Sequence, residues 1–366
     1  MRKAKKRLDY LIFFSFIILV FGVGLAALTS ASSDLGKSSE FNDPYHFLKD
    51  QLLWGVGVGS LGFMAGYLIN YRIYKKLSPI ILIGSVVLLL LLFTPLGASS
   101  GGAQRWLLIG LFAIQPSELL KLTMVLFFAA WLSKPHSTRE QSIPDGLIPF
   151  LSILGFISLI LLFQNSTSAA FIIGVTILIL YFASGARLSF ILAIVLISMT
   201  IFASFIVATP YRYERIKSFM NPTEDIQGSA YQINQALTVI GSGGWTGVGY
   251  GGSNAKKFLP ERMGDSIFAI IAEEVGFIGA MMVIFVYLLL IIGGFIASRH
   301  VRDKFGKLIL VGLSAVIGTQ TFVHIASASA LIPTTGVPLP FVSYGNFSLV
   351  VFMTMVGIML NVHKNA

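Results

Sequence analysis

Long stretches without a charged residue recur along this chain: Leu147 to Gly185, Leu188 to Pro210, and Ser266 to Ala297 apart from Glu273 and Glu274. Each exceeds the roughly 20 apolar residues that a helix needs to cross a bilayer. In lipid a segment must pair its own backbone N–H and C=O groups, which leaves the helix as the form for such runs. Only 11% of the 366 residues are charged, where a soluble domain carries about 25%. The chain reads as an all-α polytopic membrane protein, one transmembrane domain over 1–366. Candidate spans are Tyr10–Leu28, Leu52–Ile69, Leu77–Pro95, Leu119–Leu132, Leu147–Phe163, Ala169–Ser184, Leu188–Ala208, Ile267–Ala297, Leu308–Ala328 and Phe347–Val362. That makes about ten transmembrane helices. The first follows Arg2, Lys3, Lys5, Lys6 and Arg7, and its apolar run is longer than the 7–15-residue core of a signal peptide. It is read as uncleaved.

Charge sets the expected orientation. With the N-terminus in the cytoplasm, most of the 26 lysines and arginines fall on cytoplasmic segments, as the positive-inside bias requires. The short outer loops then hold only Lys37, Lys49 and Arg105, and an even number of spans puts both termini inside. The net charge of +10 is accounted for by these flanks, so no nucleic-acid partner is expected; membrane lipids surround the chain. A long loop between the seventh and eighth spans, Thr209 to Gly264, escapes the charge rule. It is rich in glycine and aromatics and is expected to be a large, ordered, extracytoplasmic loop. With no cysteine, disulfides and thiolate chemistry are excluded. The five histidines show no ligand spacing. No internal repeat of the transporter kind is visible.

Several residues bear on chemistry. Asp265 ends the long loop just before an apolar run. It suits either an N-cap or a general base at the membrane surface. Glu273 lies about 12 Å further along a helix, too far to share a proton with it, although Glu261 has a path to Asp265 through the loop. Glu118 and Lys121 open the fourth span at a spacing that lets them pair, as a helix-end lock or as a functional intramembrane site. Glu273 and Glu274 lie inside the eighth span, where a buried structural or proton-linked role competes with a catalytic one. The run Gly247 to Gly252 matches G-x-G-x-x-G, but an outer loop offers no βαβ unit to make it a dinucleotide site. Tight turns and close packing are the expected use of its glycines. Pro333, Pro338 and Pro340 interrupt the segment between the last two spans, which cannot be a regular helix. It is an outer loop, or it lines a cavity.

Taken together, these segments resemble the SEDS family, the FtsW and RodA proteins of bacterial cell-wall synthesis. The carriers are Gly102-Ala103-Gln104-Arg105-Trp106 and Gln115-Pro116-Ser117-Glu118 with Lys121. In the long loop they are Arg215, Phe219, Pro222, Asp225, Gly228, Tyr231-Gln232, Gln235, Gly241-Ser242-Gly243-Gly244, Lys257 and Leu259-Pro260-Glu261. Asp265, Ile267-Phe268, Glu273-Glu274, Gly276 and Pro338 through Gly345 complete the set, in order over nearly the whole chain. The stretch from Gly249 through Ser253 to Lys257 is closer to FtsW than to RodA. The chain also departs from the family. Asn165, Ser166, Thr167 and Ser168 stand where the family has Pro-Asp-x-Gly, so a cavity carboxylate is missing. Asn346 and Phe347 replace small residues, Ser266 an aromatic and His324 an Asn.

The resemblance implies a ten-helix fold in the bacterial plasma membrane and a peptidoglycan glycosyltransferase acting on lipid II, in division or elongation. A sugar 4-hydroxyl attacks the anomeric carbon of another chain, and undecaprenyl diphosphate leaves as an anion. One base, Asp265, suffices. Arg105, Lys121, Arg215 and Lys257 are candidates to offset the diphosphate charge, with Glu118, Glu261 and Ser343 completing the expected substrate site. A divalent cation such as Mg2+ would help, but no site for it is assigned. The implied partner is a class B penicillin-binding protein, the transpeptidase, on the eighth and ninth helices, alongside other divisome or elongasome proteins. A lipid-linked precursor flippase and a weakly catalytic scaffold are the rival readings.

Overall fold

A computed structural model describes residues 2–36, 43–100, 103–109, 112–134, 139–207, 209–220, 229–253 and 255–365. Gly102, Pro222, Asp225 and Gly228, which carry part of the family resemblance, lie outside the described residues, as does Lys37. The helices are α1 (Asp9–Leu35), α2 (His46–Leu68), α3 (Tyr71–Leu91), α4 (Pro116–Leu132), α5 (Ile143–Phe163), α6 (Thr167–Ala183) and α7 (Leu188–Val207). Two helices of the long loop follow, α8 (Pro210–Met220) and α9 (Ser229–Ser242). Then come α10 (Ile267–Arg299), α11 (Lys304–Ala328) and α12 (Asn346–Asn365). Among the described residues, eight helices are long and apolar enough to cross a membrane. The apolar α4 and α6, at 17 residues each, supply the other two expected spans.

Polar residues set several helix starts. The Asn70 side chain accepts from the Arg72 N–H at 3.1 Å to begin α3, and Asp303 accepts from Gly306 at 3.0 Å to begin α11. Pro116 occupies the first turn of α4, where its missing N–H costs nothing. Several helices are therefore longer than their apolar runs. The expected starts at Leu77 and Leu308 move back to Tyr71 and Lys304, because basic first turns are helical outside the hydrocarbon, where hydropathy carries no signal.

α11 and α12 form the hub, each with 78% of its apolar window buried, against 12% for α7 at the lipid-facing edge. α2 packs closely on α12. A methyl group at Gly59, Gly62 or Gly66 would collide with Met353, with Thr354, or with the backbone of Thr354 and Ile358. Small residues permit this contact, since lipid supplies no hydrophobic push between helices.

The connection between α3 and α4 is a three-stranded antiparallel sheet that composition does not signal: β1 (Gly97–Ser100), β2 (Ala103–Ile109) and β3 (Phe112–Ile114). Ala98 pairs with Trp106 and Ser99 with Gln104, which leaves Arg105 as the extra residue of a bulge.

The eighth span is not continuous. Gly276 has φ 68° and ψ −174°, which breaks α10. The loop fills the break. Val248 and Gly249 donate their N–H groups to the Glu273 and Glu274 carbonyls at 3.0 Å each, and Phe277 and Ile278 donate to Gly244 and Trp245 at 2.9 and 3.2 Å. Gly247, at φ 81°, lies against Gly276, and a Cβ on either would run into the other strand of backbone. The G-x-G-x-x-G run is thus a clasp on a broken helix, the close-packing use of glycine. Glu273 and Glu274 are both buried at this clasp. Glu273 accepts from Ser242 at 3.2 Å and from Ser253, and Glu274 accepts from Ser30. These bonds join α1, α9 and the loop to α10.

Candidate active site

Asp265 lies in a tight turn ahead of α10. The Glu261 carbonyl accepts the N–H groups of Gly264 (2.9 Å) and Ser266 (3.3 Å). Ser266, not Asp265, occupies the N-cap position, and its hydroxyl donates to the Pro260 carbonyl at 2.9 Å. The N-cap role open to Asp265 in the sequence is therefore taken away: a turn one residue longer places its carboxylate ahead of the helix.

The proline-broken segment fixes this turn. The Ser343 hydroxyl donates to the Gly264 carbonyl at 2.7 Å and accepts from the Leu339 N–H at 2.8 Å, and the Tyr344 N–H donates to Met263 at 2.9 Å. Between these elements and the ends of α1 and α2 lies a cavity of about 1160 Å³. Asp265, Glu261, Lys257, Arg215 and Arg105 all line it. The proline segment lines it too, through Gly336, Pro338, Tyr344 and Gly345. Its lower wall is apolar, with Trp54, Val58, Phe347 and Val350.

Both arginines are oriented by backbone carbonyls. Arg105, aimed by its bulge, donates to Asn165 at 2.7 Å, and Arg215 donates to Thr334 at 3.0 Å. Asn165 adopts a left-handed backbone, φ 55°, which Asn tolerates better than most residues. The backbone carbonyl at the start of the departing stretch 165–168 is thus what holds Arg105.

Burial pushes the Asp265 carboxyl up to about 6, and the Glu261 charge adds to the rise while Arg105 and Arg215 oppose it. Desolvation outweighs the two cations here, so Asp265 is a stronger base than a solvated aspartate yet still ionised near neutral pH.

Glu118, Lys121 and Ser343 do not line the cavity. Lys121 and Glu118 are buried and paired at 2.6 Å. Lys121 also donates to the Gln320 side chain, which donates to the Pro338 carbonyl at 3.0 Å, and Ser348 donates to Glu118 at 3.1 Å. Pro338 and Ser348 do line the cavity. The pair therefore braces the cavity floor from below. Asp34, Asp50, Arg262, Tyr344 and Asn346 are lining residues to which sequence reasoning gave no site role. The signal for Asp50 is an acid directly ahead of an apolar run. For Tyr344 it is the proline-rich run that ends at Gly345, and for Asp34, Arg262 and Asn346 the chain holds no local pattern, because their neighbours are remote in sequence.

Known proteins resemble this chain in sequence and in overall fold. A family model described as "Cell cycle protein", covering FtsW, RodA and SpoVE, matches residues 10–366. Stage V sporulation protein E of Bacillus subtilis is 34% identical over 350 residues, 95% of this chain and 94% of that one. The probable peptidoglycan glycosyltransferase FtsW of Geobacter metallireducens is 33% identical over 341 residues, 93% of this chain and 90% of that one. Among solved structures, the Thermus thermophilus rod shape determining protein RodA aligns with a TM-score of 0.68 at 25% identity, over 97% of this chain and 96% of that one. A chain from a structure described as "Structural coordination of polymerization and crosslinking by a peptidoglycan synthase complex" aligns with a TM-score of 0.76 at 25% identity, over 96% and 97%.

Proposed function

The chain belongs to the FtsW, RodA and SpoVE family of cell cycle proteins, and from that premise we propose that it is a peptidoglycan glycosyltransferase that polymerises lipid II. Its relatives named FtsW carry that activity in their names. The observation that carries the reading is a cavity lined by Asp265 together with Arg105, Arg215 and Lys257.

The acceptor 4-hydroxyl attacks the anomeric carbon of the donor chain from the face opposite the diphosphate, so the transfer inverts. Asp265 takes the hydroxyl proton; a base with pKa about 6 is well matched to neutral pH. The carbon–oxygen bond to undecaprenyl diphosphate breaks, and Arg105, Arg215 and Lys257 offset the charge that develops on the leaving oxygens. Burial raises the base, and the Glu261 charge adds to the rise. Glu118, Lys121 and Ser343 serve as positioning residues: the pair holds the Pro338 segment and Ser343 holds the Asp265 turn. The chain works as one domain in the bacterial plasma membrane, with both termini cytoplasmic and the cavity opening outward. A class B penicillin-binding protein is the proposed partner, a reading supported by the peptidoglycan synthase complex that a fold neighbour's description names.

The test is Asp265→Asn, which keeps size and polarity but cannot take a proton. The purified variant should fold, bind lipid II and polymerise it about 10²–10⁴-fold more slowly than wild type. Near-normal polymerisation by this variant would remove Asp265 as the base and leave a flippase or scaffold as the better reading.

A further inference from the structure

Asp50 stands at the outer end of the α2 apolar run and lines the same cavity as Asp265. Its Oδ2 accepts two hydrogen bonds at 2.6 Å each, from the Tyr344 hydroxyl and the Asn346 Nδ2. The carriers of those donors are fixed in turn. The Gly345 N–H donates to the Gln51 Oε1 at 3.2 Å, and the Tyr344 ring meets Phe47 edge-on at 5.6 Å. The carboxylate is held, yet both donors are neutral. Among the described residues no lysine or arginine comes within 4.0 Å of it. Lys49, its chain neighbour, pairs with Asp43 at 2.7 Å, and the charge that Arg262 feels is that of Asp34. A half-buried carboxylate placed by neutral donors has no cation in contact with it and is open to one from the cavity.

A divalent metal ion is a poor candidate, because it demands several hard oxygen ligands and the described residues hold no group of three carboxylates or histidines. An ammonium suits the site better: it needs one counter-charge and offers three donors, and the Tyr344 hydroxyl oxygen stands beside the carboxylate as a second acceptor. If the chain acts on lipid II, the ligand follows from the chemistry of that molecule. Its diphosphate and peptide carboxylates are anionic and its sugars neutral, so the side-chain amine of its peptide is its cation. We propose that Asp50, held by Tyr344 and Asn346, is a specificity-determining subsite for a primary ammonium on the peptide of the substrate. The inference rests on the glycosyltransferase reading for the identity of the substrate, though not for the presence of the subsite.

The experiment compares two lipid II preparations, one with the peptide amine free and one with it acetylated, on purified full-length wild-type protein and on Asp50→Asn. Both binding and polymerisation are measured. Wild type should favour the free amine by roughly ten- to hundred-fold in kcat/KM and in Kd, the worth of a charge-assisted contact. In Asp50→Asn that ratio should collapse toward unity. No preference in wild type, a result that needs no variant, overturns the proposal. So does a preference that survives in Asp50→Asn. If wild type polymerises neither lipid, the glycosyltransferase reading fails, and the binding ratio alone then supports or overturns the subsite.

Discussion

Under the proposed mechanism Asp265 concentrates the chemistry in one titration. Its carboxyl is raised to about 6 by burial, and the base form is the one proposed to react. Polymerisation at limiting substrate should therefore be flat above about pH 6 and fall about tenfold per pH unit below it. An activity profile in fixed ionic strength checks this; a fall centred near pH 4 would mean that the base is a solvated carboxylate elsewhere. The Glu118–Lys121 pair has a different signature. Lys121→Ala leaves a buried carboxylate without its counter-charge and should cost about 3–5 kcal/mol of stability, read as a lowered Tm in detergent. The swapped double variant, Glu118→Lys with Lys121→Glu, should recover part of that loss, since the Gln320 amide and Ser348 hydroxyl can each serve either charge. A swap no better than the single variant would show that more than a structural brace has been lost. These two sites differ in how far sequence reveals them. Asp265 stands out because a charge at the edge of an apolar run needs a reason. The pair is equally visible, but its place outside the cavity lining is not, since that depends on α11 and α12, which lie far along the chain.

At the scale of elements, hydropathy found the ten helices and misplaced their ends by the length of their polar turns. Two features escaped it altogether. The bulge at Arg105 depends on the pairing of β1 with β2, which no periodicity in a short connecting loop discloses. The break at Gly276 is not legible because the apolar run resumes at Phe277, and only the excess length of the eighth span and the two glutamates just before the glycine hint at it. The break makes a sharp prediction. Gly276→Ala or Gly247→Ala forces a side chain into backbone and a residue with φ near 70–80° into a region that suits glycine. Each should cost at least about 1–3 kcal/mol from backbone strain alone, with the collision added. Thermal melts of both variants in detergent check this, with the exposed Trp245 beside the clasp as a local fluorescence reporter. A Tm equal to wild type in either would mean that the clasp does not form.

For the molecule as a whole, orientation is the testable property. Thr238 is an exposed residue of α9, and the chain has no cysteine of its own. Thr238→Cys in intact cells should react with a membrane-impermeant thiol reagent added from outside; labelling only after the cytoplasmic face is opened would invert the topology. The clasp also bears on how the molecule breathes. Four peptide hydrogen bonds cross between the loop and α10 at the break, and opening the clasp would give them up together, at about 1 kcal/mol each. The amides of Val248, Gly249, Phe277 and Ile278 should therefore exchange with solvent deuterium slowly and together, as a single cooperative unit. A connecting segment outside the bilayer would then have the protection pattern of a membrane helix.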